Sequence, residues 1–374
     1  MTAENYIDLY QWCNTFMRWY HNTSPSLEEK KRLLKSIDTL TFDGNLNQKA
    51  PKNIDLLDGL KRLTICTHQP NLMLQLGKFQ QLEYLVFNSS TLFKEIPNSI
   101  IDLQNLKYLK LKGAFHHIPA QIGLLENLEE LMIQSDVIKE LPESLGQLKN
   151  LKKLMIVGED IEYLPKTINH CTSLNKLILD VPKAKFTPEL DQLTHLKHFH
   201  LKSTALYPAS LKSLNQLEDL SLEVGIPSLK NEPQNNHFLD YLENIRGLKN
   251  LKKLIIKSPY LNALPNWLYE YKQLEYFETR DLSLNELPAS LSELENLTHL
   301  YLPKVITMSE VDHILAKLNA LRVLHVGGNN YFSFPKEMKD KKQLLQIYFD
   351  HILDSLLWID EDFKNGVTEN LPDQ

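Results

Sequence analysis

The chain has 374 residues, 43% of them hydrophobic, and its 41 basic and 47 acidic side chains leave a net charge of −6. That balance lacks the cation excess that draws a protein to a phosphate backbone, so nucleic acid is not an expected partner. No stretch approaches the ~18 consecutive apolar residues of a membrane span, the first residues are acidic where a secretory leader is basic, and Cys13, Cys66 and Cys171 are too scattered for a disulfide framework.

In chain order, Tyr6, Leu9, Tyr10, Cys13, Phe16, Met17 and Tyr20 recur at helical intervals, and Ser24 and Pro25 are placed to start a second helix through Leu33 and Leu34. Residues 1–36 are therefore expected to form a helical N-terminal cap. From Ile37 a six-residue frame, Leu-x-x-Leu-x-Leu with conservative swaps, recurs fourteen times, beginning at Ile37, Leu60, Leu82, Leu106, Leu128, Leu151, Leu174, Leu196, Leu217, Leu251, Leu274, Leu297, Leu321 and Leu344. Twelve of the thirteen steps are 21 to 24 residues long; the step from Leu217 to Leu251 is 34. Such a period marks a repeat array in which each unit buries its apolar face on its neighbours.

In Leu128-Glu-Glu-Leu131-Met-Ile133, alternation sends Leu131 and Ile133 inward and Glu130 and Met132 outward, so each frame reads as a short strand. The return half opens on proline: Pro51, Pro97, Pro119, Pro142, Pro165, Pro208, Pro265, Pro288 and Pro335 each lie nine residues before the next frame. Apolar residues follow three and six positions later, as Leu145 and Leu148 follow Pro142, which predicts a short helix with proline in its first turn. The long step adds an insertion near 223–247, loop-like from Glu223 to Asn236 and then helical through Phe238, Leu239, Leu242 and Ile245. An insertion of this kind either touches a ligand or is a tolerated surface loop, and the sequence favours neither. After the array, spanning 37–350, the stripe Ile352, Leu353, Leu356 and Leu357 predicts a C-terminal cap helix within 351–374, with a disordered tail beyond Gly366.

The stretch Leu141-Pro-Glu-Ser-Leu-Gly-Gln-Leu-Lys-Asn-Leu-Lys-Lys-Leu-Met-Ile156 follows almost throughout the pattern Leu-Pro-x-x-Ile-x-x-Leu-x-x-Leu-x-x-Leu-x-Leu. By this motif the chain resembles the leucine-rich repeat family. The resemblance implies an α/β solenoid, a horseshoe with a parallel sheet on its concave side, short helices on its convex side and helical caps. The family's usual asparagine, three residues after the frame's last apolar position, survives only at Asn45 and Asn329. Ser90, Ala114, Asp136, Glu159, Thr204 and Leu282 hold that slot elsewhere, so the buried amide ladder of the family is expected to be mostly absent. The Leu-Pro repeats are similar to those of intracellular bacterial proteins, including effectors delivered into host cells. That implies a cytoplasmic location, or export into a host cell without a classical signal peptide. Some of those relatives carry a catalytic ubiquitin-ligase domain, for which this length leaves no room.

Stacked strands also let the sequence be read down columns. The second frame position runs Asp38, Lys61, Glu83, Lys107, Glu129, Lys152, Asn175, Lys197, Glu218, Lys252, Glu275, Thr298, Arg322. Alternating charge on neighbouring strands favours one stacking register. The fifth position, central on the concave face, brings Met132, Met155 and Ile178 side by side and later reads His200, Tyr301, His325 and Tyr348, with Tyr276 and His299 beside it in the third column. Exposed apolar and tyrosine side chains suit a contact site. These nine residues are the expected protein-binding set.

Signals for chemistry are sparse. The thirteen histidines show no metal-binding spacing, although His299 and His325 are placed to approach across adjacent strands, a distant route to metal or hydrolase-like chemistry. Cys171 occupies the core slot of Leu148 and Leu125, while Cys66 is the one outward thiol, with His68 nearby. No cofactor and no metal site is expected. The leading expectation is a non-enzymatic module, monomeric, that binds another protein on its concave face. The alternative is a regulatory subunit or inhibitor of an enzyme.

Overall fold

The computed structural model describes residues 2–17, 24–42, 51, 53–66, 75–88, 95–184, 189–203, 211–224, 242–258, 263–280, 283–284, 287–302, 304–305, 311–326 and 346–349. The chain divides into two compact units, Met1–Leu193 and Thr194–Gln374. All fourteen frames form strands, seven in each unit.

The first unit opens with α1 (Ala3–Met17) and α2 (Leu27–Lys35). α2 starts at Ser26 rather than at the expected Ser24–Pro25, because a capping box is available there. The Ser26 hydroxyl accepts from the Glu29 amide at 3.2 Å and the Glu29 carboxylate accepts from the Ser26 amide at 3.3 Å. Leu9, Tyr10, Trp12 and Cys13 on α1 are buried, and Trp12 packs on Phe42 with ring centroids 5.3 Å apart. α1 thus packs against the first strand of the array.

Strands β1 (Thr39–Phe42), β2 (Arg62–Ile65), β3 (Tyr84–Asn88), β4 (Tyr108–Lys112), β5 (Glu130–Gln134), β6 (Lys153–Val157) and β7 (Lys176–Asp180) pair in parallel and in sequence order. Equivalent frame positions face one another, so Leu85, Leu109, Leu131, Leu154 and Leu177 form a continuous buried row. The backbone fixes this register at each strand entrance: the Glu129 carbonyl accepts from both the Lys152 and Lys153 amides, at 2.8 and 3.0 Å. Each fully buried leucine adds about 1.5–3 kcal/mol by leaving water.

The helices expected after the prolines are 3₁₀ segments, and the proline lies just outside them. Pro142 has φ −69° and ψ 140°, an extended conformation at the N-cap of Glu143–Gln147. The Leu145 amide then donates to the Pro142 carbonyl at 3.1 Å, Leu148 to Leu145 at 3.1 Å and Leu151 to Leu148 at 3.2 Å. The three-residue spacing seen in the sequence is thus the hydrogen-bond period itself. In a 3₁₀ turn residues three apart eclipse one another, which keeps Leu145 and Leu148 on one inward row; an α-helix would rotate them apart.

Two close-packing devices hold neighbouring repeats together. Asn105, Asn127 and Asn150, each just before a frame, donate their amides to the carbonyls of Gln80, Gln104 and Glu126 at 2.8–2.9 Å. In the second unit Asn250 and Asn296 do the same toward Asn215 and Lys272. This ladder occupies a different slot from the family asparagine, whose positions Asp136 and Glu159 are solvent-facing here. Gly123 and Gly146 let adjacent 3₁₀ turns approach, since a Cβ on Gly146 would lie 2.3 Å from the Thr167 carbonyl oxygen.

The second unit pairs β8 (His198–Ser203), β9 (Asp219–Val224), β10 (Lys253–Lys257), β11 (Tyr276–Arg280), β13 (His299–Leu302), β15 (Val323–Val326) and β16 (Gln346–Phe349) in parallel, with short β12 (Ser283–Leu284) and β14 (Lys304–Val305) paired beside them. One return segment is an α-helix, α3 (Val311–Lys317). Leu242 and Ile245, on the helical face predicted within the insertion, are fully buried. Most of the insertion, from 225 to 241, and the predicted C-terminal cap in 351–374 lie outside the described residues. Cys171 is buried as expected; its thiol donates to the Leu145 carbonyl at 3.2 Å, and burial pushes its pKa up to about 11. Tyr271 fills the same slot one unit later, its hydroxyl donating to Ile245 at 2.7 Å.

The alternating second column forms the expected ion pairs. Lys107 meets Glu83 at 2.7 Å, Lys152 meets Glu129 at 2.7 Å, and Glu218 lies between Lys252 at 2.8 Å and Lys197 at 3.3 Å. Hydrogen bonds from Lys252 and then Lys197 hold the Glu218 carboxyl below its ordinary value of 4.5.

A Gly146→Ala variant should lose about 1–3 kcal/mol in urea denaturation, because its clash is with backbone rather than with a side chain that can swing aside. Because the Glu218 pKa is lowered on folding, its contribution is present above the unfolded value and fades as pH falls through the folded one. Glu218→Gln should therefore be less stable than wild type at pH ~7, and the gap should close below about pH 4; a gap that stays constant on acidification contradicts the assignment.

Candidate protein-binding face

Residues at the third, fifth and seventh frame positions project from the sheet face opposite the leucine core. In the first unit the register places Met132 against Met155 and Met155 against Ile178. All three side chains are half-exposed. The predicted apolar row therefore exists as a contiguous surface on β5, β6 and β7. Beside it in the third column, Glu130 and Lys153 neutralise one another at 2.7 Å.

Next to this row lies a second arrangement that the column reading passed over. The Arg62 guanidinium sits 3.9 Å from the centroid of the Tyr84 ring, and Tyr84 stacks on Tyr108 with centroids 4.1 Å apart and planes 8° from parallel. Burial, followed by the hydrogen bond to Tyr84, pushes the Tyr108 hydroxyl up to about 12. The signal was available in the sequence: Arg62, Tyr84 and Tyr108 share the third column on consecutive strands.

In the second unit the aromatic set does come together. The Tyr276 ring lies 5.7 Å from His299 and 5.3 Å from Tyr301, and Tyr301 meets His325 edge-on at 5.4 Å. Two residues outside the predicted set belong to this cluster. Glu278, only 4% exposed, accepts a hydrogen bond from the Tyr276 hydroxyl, and the Lys253 ammonium lies 4.9 Å from the Tyr276 ring. Tyr348 lies on β16, in register with His325. His200 is not part of the group. It pairs with Ser221 on β9, and β9 and β10 intervene before β11.

The same register sets the two histidines considered for metal chemistry diagonally, two positions apart on neighbouring strands. His299 faces Val323, and His325 faces Tyr301; the His299 ring nitrogen Nδ1 is instead 2.8 Å from the Thr298 hydroxyl. Among the described residues no three His, Cys, Asp or Glu side chains are grouped to hold a metal ion. No described helix is long and apolar enough to cross a membrane.

Residues 59–352 match the family profile described as leucine-rich repeat region. No curated protein matches the sequence. Among solved structures the chain is similar to a leucine-rich repeat protein of Leptospira interrogans, with a TM-score of 0.65 and 20% identity over 88% of each chain. It is also similar to an internalin of Listeria monocytogenes, with a TM-score of 0.53 and 15% identity over 94% of this chain and 95% of that one. A chain of the Toll–Spätzle complex of Drosophila gives 0.52 and 21% over 78% of this chain and 42% of its own length. At these identities the likeness is one of fold. With the profile matching from residue 59 to residue 352 and the strands in register throughout each unit, the chain belongs to the leucine-rich repeat family and adopts its α/β solenoid fold.

Proposed function

We propose that the open face of the sheet binds another protein and that the chain acts as a scaffold rather than as an enzyme. The observation that carries this reading is the in-register row Met132, Met155 and Ile178, three partly exposed apolar side chains side by side on a face that also carries Glu130, Lys153, Lys176 and Asp180. Tyr276, His299, Tyr301, His325 and Tyr348 supply a second contact in the second unit, and His200 a separate one. The Toll–Spätzle complex, in which a protein of this fold is joined to another protein, supports the reading.

Recognition on such a surface draws on rigidity. Side chains set on hydrogen-bonded strands are already ordered, so little conformational entropy is lost on binding. Covering the exposed parts of three apolar side chains is worth about 1 kcal/mol each, or roughly a hundredfold in affinity together. An enzyme in the partner's place would make the chain a regulatory subunit or inhibitor with the same geometry. Action inside a host cell is proposed on the resemblance of the Leu-Pro repeats to bacterial effectors.

The test is affinity capture from cytosolic lysates read by mass spectrometry, with wild type beside Met132→Asp/Met155→Asp after both are shown to fold. Partners held by wild type should be lost from the double variant, and Tyr301→Ala should reduce their recovery. Equal recovery by all three proteins would remove the open face from consideration.

A further inference from the structure

Charge on the open face of the first unit is unevenly distributed. On β5, β6 and β7 with their entry residues, Glu129, Glu130 and Asp180 balance Lys152, Lys153 and Lys176. On β2, β3 and β4 with theirs, Lys61, Arg62, Lys107, Lys110 and Lys112 stand against one carboxylate, Glu83, and that one is held by Lys107 at 2.7 Å. Lys61, Arg62, Lys110 and Lys112 form no ion pair among the described residues. This cationic strip lies on a chain whose net charge is −6, so it is a local feature and not a reflection of composition. It also adjoins the apolar row directly, since Lys110 is in register with Met132.

We infer that this face takes an acidic peptide segment of its protein partner, with bulky apolar residues over Met132, Met155 and Ile178 and carboxylates over Lys110, Lys112 and Arg62. The inference rests on the protein-binding reading above and specifies its ligand. Parallel strands are about 4.8 Å apart, so Met155 on β6 and Lys110 on β4 are separated by about 10 Å, the span of three extended residues. Reaching Arg62 on β2 takes about 19 Å, close to six residues. From Ile178 on β7 to Arg62 on β2 is about 24 Å, so the ligand is an extended stretch of about seven residues, apolar at one end and acidic at the other.

A basic strip with tyrosines would also suit single-stranded nucleic acid if the rings offered open faces for bases. Here the Tyr84 ring already has Arg62 and Tyr108 stacked on it, and the cationic heads around the stack make a surface for carboxylates.

The experiment is selection of a random dodecapeptide display library on the full chain, followed by fluorescence anisotropy with the enriched peptides as synthetic probes. Enriched sequences should combine Asp or Glu with bulky apolar residues. Arg62→Glu/Lys110→Glu should weaken them about tenfold or more, and affinity should fall as NaCl rises from about 50 to about 300 mM. Lys110→Gln/Lys112→Gln, a milder exposed change, should weaken them less, and Lys176→Glu, outside the strip, should leave them unchanged. Melting curves establish that each variant folds. Peptides that bind wild type and the charge reversal alike but fail on Met132→Asp/Met155→Asp would overturn the acidic ligand and leave the face intact. Peptides indifferent to both sets of changes would overturn both readings. Enrichment of basic peptides, no enrichment, or tighter binding of a single-stranded RNA oligonucleotide to the same strip would overturn the inference.

Discussion

Everything else in the two units depends on one constraint, the parallel pairing of equivalent frame positions on neighbouring strands. At the strand entrances the carbonyl of a second-position residue accepts two amides of the next strand, as Lys107 does for Glu129 and Glu130 and Glu218 does for Lys252 and Lys253. A slip by one residue would turn a leucine row such as Leu109, Leu131, Leu154 and Leu177 toward solvent, at about 1.5–3 kcal/mol for each side chain. Because the cost recurs at every repeat, the register is held by the sum of many equal terms. Second-column charges reinforce it, since Glu83, Glu129 and Glu218 each meet lysines on adjacent strands.

This constraint explains what was legible in the sequence. Strand positions, the buried rows, the burial of Cys171 and the in-register meeting of Met132 with Met155 follow from periodicity, because period-two alternation within a frame and a fixed repeat between frames leave one arrangement. The return segments were less legible. Apolar residues three apart suit either a turn of α-helix or a 3₁₀ ladder, and only the extended backbone of Pro97, Pro142, Pro165, Pro265 and Pro288 shows that the proline caps the segment from outside. The start of α2 was misplaced because Ser24 and Ser26 are both competent caps by type, while only Ser26 has a glutamate three residues on.

The missed features of the candidate site share a physical cause. Arg62, Tyr84, Tyr108 and Lys253 are ordinary as single residues; their roles come from contacts across strands, more than twenty residues apart in sequence, while Glu278 meets Tyr276 two residues away on its own strand. Met132, Met155 and Ile178 stand out as a run of one chemical type, whereas Arg62, Tyr84 and Tyr108 neither repeat a type nor alternate in charge, and their stacking shows only once β2, β3 and β4 are side by side. The burial of Glu278 is likewise invisible along the chain, since its column neighbours Ile255 and Tyr301 cover it only once β10, β11 and β13 are side by side.

The frame also separates stability from recognition. First, fourth and sixth positions are committed to the core and the second column largely to its own ion pairs, so a ligand has the third, fifth and seventh positions to read. Those positions lie on strands whose pairing is set elsewhere, and they can change without loss of register. That freedom is visible within the first unit, where the same three columns carry Arg62, Tyr84, Tyr108, Lys110 and Lys112 on β2 to β4 and Met132, Met155 and Ile178 on β5 to β7. A uniform scaffold thus presents a surface whose chemistry changes across about 10 Å. On the proposed reading, such a step in charge and polarity would distinguish one partner segment from another: an acidic end placed over the methionines would be desolvated without a counter-ion, and an apolar end over Lys110 would leave the ammonium uncompensated. The order of the residues along the columns would then set the direction of the proposed segment across the strands.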